Sequence, residues 1–361
     1  MILLSDFYHP ETMQKIDDIL KKAVEKKSSD IHLTTNRPPI FRIDGELIDL
    51  PNAKPLPARE LEELVFSILT EKQKQLLLSQ RELDLSYEIK GLSRFRVNCF
   101  WERDNVCLAA RIISPDIPTM KEIMMPEVVY DLMRLKQGLV LVTGPTGCGK
   151  STSLAAMINL INQERSVHII TLEDPIEFIY PPGSGKSLIV QRQLGTDMIS
   201  FAQALKHVLR QDPNVILVGE MRDLETIAAT ITLAETGHLV LATLHTHNAA
   251  QTVDRIIDVF PPYQQSQVRL QLSLFLKGII SQQLLIKVGG GRVAAREVLI
   301  NTPAVANLIR ENKIPQIKTV IQTSAEEGMF TMDQDLKRLF EDGYIEKGVA
   351  KSYMVTPSLL G

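Results

Sequence analysis

The sequence predicts an α/β protein in two domains, a small α+β module followed by a larger parallel sheet covered by helices. Three observations carry this prediction. From residue 138 onward, short apolar runs alternate with helical segments, the pattern of buried parallel strands and their crossover connections. Before residue 113 the strands and helices are short and grouped, as in an α+β module. Between the two lies Ile113–Thr119, whose Pro115 and Pro118 disfavour helix and pre-set an extended backbone. We therefore place the domains at 1–113 and 120–361, with a linker at 114–119.

The elements follow in order. From Thr12 to Lys27 the apolar residues Met13, Ile16, Ile19, Leu20, Ala23 and Val24 recur at helical spacing, which predicts an amphipathic helix. Ile31–Leu33, Ile40–Ile43 and Glu46–Ile48 read as strands, the last two meeting at Asp44-Gly45, a dipeptide suited to a tight hairpin. After the loop Pro51–Pro57 come helices over Ala58–Leu69 and Glu71–Leu78, then strands around Leu83–Ile89, Arg94–Phe100 and Val106–Ile113. In the second domain Gly138–Thr143, Val167–Leu172, Val215–Val218 and Leu239–Thr243 are nearly continuous apolar runs, predicting strands buried on both faces. Helices are expected at Lys150–Asn162, Phe201–Arg210, Leu224–Glu235 and Ala249–Val259. More follow over Tyr263–Leu276, Pro303–Arg310, Ile314–Gln322, Thr331–Glu341 and Ile345–Tyr353.

Composition narrows the function. The 361 residues are 44% hydrophobic and 23% charged, ordinary for a folded chain. A net charge of −3 supplies no bulk field to attract DNA or RNA. Cys99, Cys107 and Cys148 form no CxxC pair, which argues against a disulfide framework or a zinc site and for a reducing cytoplasm. Asp6, Glu11, Asp17 and Asp18 oppose a signal peptide, and no run reaches the ~20 apolar residues of a membrane span. The expected protein is neither exported by that route nor integral to a membrane.

The chemistry begins at Gly144-Pro145-Thr146-Gly147-Cys148-Gly149-Lys150-Ser151, which fits the phosphate-binding pattern GxxxxGK followed by Ser or Thr. It stands between an expected strand and an expected helix, the context that this motif requires. Backbone N–H groups of the loop and the helix N-terminus would surround phosphate oxygens. Lys150 would reach the β- and γ-phosphates of ATP, Ser151 would ligate Mg²⁺, and Thr152 continues the binding segment. A second Gly-Ser-Gly-Lys-Ser at 183–187 lacks the first glycine, where Tyr180 stands, and follows Pro181-Pro182 rather than a strand; it reads as a surface loop. Cys148 has two readings. A thiol near a helix N-terminus can have a lowered pKa and be reactive; alternatively it fills space.

Hydrolysis needs acidic groups at neighbouring strand ends. Val215–Val218 runs into Gly219-Glu220, a Walker B-like segment, so Glu220 would hold Mg²⁺ or its water shell. Val167–Leu172 runs into Glu173-Asp174-Pro175-Ile176-Glu177, placing three carboxylates at another strand end. His238 and His245 bracket a further strand; His245 could sense the γ-phosphate, His238 reads as structural or functional, and His247 as a surface residue.

The order Walker A, Leu172–Phe178, Val215–Asp223 and Thr236–Thr246 resembles the secretion ATPase superfamily, whose members carry Walker A, Asp box, Walker B and His box in that order. Within it the chain resembles a type IV pilus retraction ATPase of the PilT type from about residue 10 to 345. Ser29–Leu33, Arg94–Asn98, Ile117–Thr119 and Leu209–Pro213 add to the likeness. The resemblance implies a PAS-like N-terminal domain and a RecA-like P-loop ATPase domain, assembled as a homohexamer. It implies Glu173 as general base for the attacking water, Glu220 assisting at Mg²⁺ and His245 reporting on the γ-phosphate. It further implies a cytoplasmic ATPase at the inner face of the membrane, working on an inner-membrane pilus platform for pilus retraction and twitching motility, with a paralogous retraction ATPase as a potential partner. Extension and type II secretion ATPases usually carry paired CxxC motifs after the His box, so the absence of cysteine after residue 148, together with the short N-terminal region, favours the retraction branch of the resemblance. The family's C-terminal signature keeps Asn307-Leu308-Ile309-Arg310-Glu311 but has Ala306 in place of its first arginine.

A ring motor completes each site with cations from a neighbour. Arg94, Arg96 and Arg111 in the first domain and Arg210, Arg222 and Arg255 in the second are the candidates, and the prolines of the linker would serve as a hinge. Three other readings stay open at this point: an accessory or regulatory pilus ATPase with little turnover, an assembly or secretion ATPase, and a nucleic-acid translocase. The last is opposed by the net charge and the lack of a basic aromatic platform.

Overall fold

The computed structural model describes residues 15–43, 45–113 and 116–360. They fall into two compact units, divided before Asp116.

In the first unit the described residues build a six-stranded sheet from β1 (Asp30–Leu33), β2 (Ile40–Ile43), β3 (Glu46–Asp49), β4 (Glu82–Ile89), β5 (Ser93–Glu102) and β6 (Asn105–Ile113). The order is β3-β2-β1-β6-β5-β4, antiparallel throughout. Successive side chains of a strand point to opposite faces. Phe95, Val97 and Cys99 are therefore buried in one core with Ile19 and Leu20 of the helix Ile16–Glu25 and Leu61 and Val65 of the helix Ala58–Phe66, whereas Arg94, Arg96 and Asn98 lie on the other face. The helix Glu71–Gln80 starts at a capping box in which Thr70 and Gln73 satisfy each other's backbone N–H. Residues 12–14 of the expected opening helix, Asp44 of the expected turn, and residues 114 and 115 of the expected linker lie outside the described residues. Residues 116–119 carry neither helix nor strand.

In the second unit β7 (Gly138–Thr143), β8 (His168–Glu173), β9 (Leu188–Gln193), β10 (Val215–Val218), β11 (Leu239–Leu244), β12 (Leu276–Ile286) and β13 (Arg292–Ile300) form a seven-stranded sheet among the described residues, ordered β13-β12-β7-β11-β10-β8-β9. Neighbours run parallel except β12 and β13. Leu139 and Leu141 enter one core while Val140 and Val142 enter the other, so β7 is buried on both faces as its apolar run predicts. A further core joins Leu285, Val293 and Ala295 to Leu336, Leu339 and Ile345 near the C-terminal helices.

Side-chain caps mark three of the crossover helices. Ser200, Asp223 and Asn248 each accept a backbone N–H in the first turn of the helices Phe201–Val208, Leu224–Glu235 and Ala249–Asp258. The expected helix 314–322 is divided into a 3₁₀ turn, Ile314–Gln316, and a helix, Ile317–Thr323; Pro315 supplies no N–H to a continuous helix. The helix Glu127–Arg134, the edge strand β9 and the pair β12–β13 have no counterpart in the sequence reading.

Candidate nucleotide site

β7 ends at Thr143, the chain loops through Gly144–Gly149, and a helix runs over Lys150–Glu164. Gly144, Gly147 and Gly149 all take positive φ in this turn. Gly144 has φ of 140°, and a Cβ there would collide with the Gln282 carbonyl oxygen and the Cys148 sulfur. Gly149, the N-cap, has φ of 87° and offers no side-chain oxygen to the helix. Unlike the three capped crossover helices, this one starts without a side-chain oxygen cap, and an uncapped helix start suits an anionic ligand. Thr146 and Gly147 are exposed at the tip, while Pro145, Ser151 and Thr152 are half-buried. Lys150 Nζ donates to the carbonyls of Gly144 at 2.7 Å and Pro145 at 3.0 Å, so the ammonium sits at the mouth of the loop. Burial lowers its pKa, against the nearby charges of Glu220 and Glu177.

The strand order β7-β11-β10-β8 is parallel, so the four C-terminal ends emerge along one edge. That edge is where open α/β sheets bind ligands. The loop follows β7, His245 follows β11, Glu220 follows β10 by two residues, and Glu173 closes β8. Burial raises the Glu173 pKa even though the Thr171 hydroxyl donates to its Oε1 at 2.6 Å and the Gln191 amide at 3.2 Å. Burial would also raise Glu220, but Arg222 Nη2 at 2.7 Å and His245 Nε2 at 2.9 Å hold its pKa below the ordinary value. The edge thus carries a carboxyl biased toward proton uptake and a carboxylate biased toward charge, in neighbouring positions.

Arg222 joins the cluster by pairing with Glu220. Arg94, Arg96 and Arg111 share the open face of the first unit's sheet, Arg96 directly opposite Arg111 in register. Like charges across a strand pair repel; Asp30 offsets this, meeting Arg111 Nε at 2.8 Å. Arg210 is exposed in the turn leading into β10, at the opposite edge of the second unit's sheet from the loop. Arg255 is exposed in the last turn of Ala249–Asp258, ~9 Å along that helix from its start. His238 Nδ1 lies 3.0 Å from the Leu233 carbonyl at the start of β11, a structural tie, and His247 is exposed. Cys148 is 2% exposed and burial raises its pKa despite Lys150, so space-filling is the reading that the geometry supports. The Gly183–Ser187 segment is a turn that leads into β9 rather than out of a strand, with Asn162 Oδ1 accepting the Ser187 N–H at 3.1 Å.

Sequence reasoning missed the supports behind these groups. Gln191 of β9 donates to Glu173 and to the Phe178 carbonyl and accepts the Tyr180 N–H at 3.1 Å, bracing the Asp-box loop. Gln282 of β12 braces the phosphate loop. The detectable signal was polar residues inside apolar runs, as in Ile280-Ser281-Gln282-Gln283-Leu284; a buried polar side chain needs partners.

Residues 9–291 match the family described as Type II/IV secretion system protein. The chain is 45% identical over 344 residues to the type IV pilus retractation ATPase PilT of Pseudomonas aeruginosa, covering 95% of this chain and 98% of that one. It is 41% identical over 332 residues to the type IV pilus ATPase PilU of the same organism, covering 92% and 86%. A crystal structure of the pilus retraction motor PilT with bound ADP superimposes with a TM-score of 0.90 at 47% identity, covering 96% of this chain and 99% of that one. Among the described residues no helix is long and apolar enough to cross a membrane.

Proposed function

We propose, from the premise that this chain belongs to the Type II/IV secretion system protein family, that it is an ATP-hydrolysing motor driving disassembly and retraction of a type IV pilus. The observation that carries this is the alignment of the phosphate loop, His245, Glu220 and Glu173 on four adjacent parallel strand ends, in a chain similar over nearly its full length to a pilus retraction motor.

The chain's own residues suggest the division of labour. The loop 144–149 and the first turn at Lys150, Ser151 and Thr152 cradle the phosphates of the nucleotide, with Lys150 turning from its carbonyl partners toward the γ-phosphate. Glu173, oriented by Thr171 and Gln191, accepts the proton of the attacking water. His245, fixed against Glu220, faces the phosphate that departs. Mg²⁺ suits this donor set: the Ser151 hydroxyl and the charged Glu220 carboxylate are hard oxygen ligands. When bound it neutralises charge on the phosphate oxygens.

Six copies form a ring in which a neighbour's cations complete each site. Arg94, Arg96 and Arg111 on their open sheet face are the first candidates, with Arg210 and Arg255, both exposed, next. The ring works in the cytoplasm at the inner face of the membrane, on an inner-membrane pilus platform, with a paralogous retraction ATPase as a further partner and without nucleic acid. A deletion strain tests the reading. Wild-type protein should restore pilus retraction and Lys150→Ala should not; restoration by Lys150→Ala would refute it.

A further inference from the structure

The phosphate loop is gripped from outside by β12. Ser281, buried, receives the Thr143 hydroxyl at 2.8 Å, at the last residue before the loop. The next residue, Gln282, is 2% exposed and spans the loop's other end: its Nε2 donates to the Cys148 carbonyl at 2.7 Å and its Oε1 accepts the Ser153 hydroxyl at 2.8 Å. The Gln282 backbone carbonyl also occupies the space that a side chain on Gly144 would need. One strand thus fixes where the loop begins, how its last peptide is turned and where the helix starts.

The Cys148 carbonyl is the lever. A carbonyl and the following N–H belong to one rigid trans peptide plane, so drawing the Cys148 oxygen toward Gln282 turns the Gly149 N–H the opposite way, away from the Gln282 amide. Resting on the nucleotide-site reading above, we propose that Gln282 is a positioning residue that sets the phosphate loop for ATP and ADP alike. It touches no phosphate itself and acts through the Cys148–Gly149 peptide. Because the loop grips nucleotide before and after cleavage, its loosening weakens binding more than it slows the chemical step.

The experiment measures Kd for ADP and ATP, KM and kcat in the full chain for wild type, Gln282→Met, Gln282→Glu and Ser153→Ala, with melting as the control for folding. Gln282→Met keeps the volume and orphans the Cys148 carbonyl; Kd for both nucleotides should rise about tenfold with kcat changed less than about threefold. Ser153→Ala should shift Kd the same way by less. Gln282→Glu supplies the discriminating readout. Protonated, it can donate to Cys148 and accept from Ser153; ionised, it repels the carbonyl. Its affinity for ADP should therefore approach wild type at low pH and fall as pH rises through the elevated pKa of a buried carboxyl, between about pH 6 and 8, with no matching change in wild type. Unchanged affinities in the folded variants would overturn the proposal, as would losses that track melting temperature and ignore pH. Failure of the wild-type chain to bind ADP would instead remove the nucleotide-site reading beneath it.

Discussion

Glu173 meets two opposed demands. Burial pushes its carboxyl toward the neutral form, while Thr171 and Gln191 donate hydrogen bonds to the ionised one, and burial prevails. As the proposed general base, Glu173 must be ionised to act, so turnover should rise with pH through a pKa above the ordinary value of 4.5. The pH dependence of kcat at saturating ATP checks this; an acid limb at or below the ordinary value contradicts it. Cys148 illustrates the converse, a residue whose position near a helix start suggests reactivity and whose burial removes it. Cys99, Cys107 and Cys148 are all buried, and burial raises all three thiols, Cys99 to about 12. Native protein should therefore react with a maleimide at most about a hundredth as fast as unfolded protein. Rapid labelling of Cys148 with loss of ATPase activity would show the thiol to be accessible.

At the scale of elements, β12 and β13 carry supports that the apolar pattern hides. Arg296 of β13, 2% exposed, donates to the carbonyls of Ile123 at 2.9 Å and Met124 at 3.0 Å, while its backbone N–H reaches Asp335 Oδ2 at 2.7 Å. Burial lowers its pKa to about 10. Arg296→Ala removes the guanidinium and leaves two carbonyls without it, so the second unit should lose about 3 kcal/mol of stability, read from the denaturant midpoint. A loss under about 0.5 kcal/mol would show that water or a neighbour replaces it. These residues also explain what the sequence conceals. β7, β10 and β11 are nearly continuous apolar runs and are legible as buried strands. β9 breaks into Gln191-Arg192-Gln193, β12 into Ser281-Gln282-Gln283 and β13 into Arg296-Glu297. The side chains that blur the strand pattern are those that tie loops and helix starts to the sheet. The phosphate loop, Glu173, Glu220 and His245 were legible because they sit at strand ends, where local order and spacing announce them. Gln191 and Gln282 were not, because their partners are 18 and 134 residues away.

For the whole molecule, each unit has its own core, and residues 116–119, at the start of the second unit, form no regular element. Purified protein should assemble into particles of six copies with ATP and Mg²⁺ present, measured by light scattering; a monomer at micromolar concentration would contradict the ring. The most direct test of the motor is steady-state ATP hydrolysis by that purified assembly beside its Glu173→Gln variant. The wild type should turn over, and the variant should bind nucleotide with near wild-type affinity while hydrolysing at least about a hundredfold more slowly. No turnover by the wild type, or equal turnover by the two, would contradict a strand-end site that cleaves ATP.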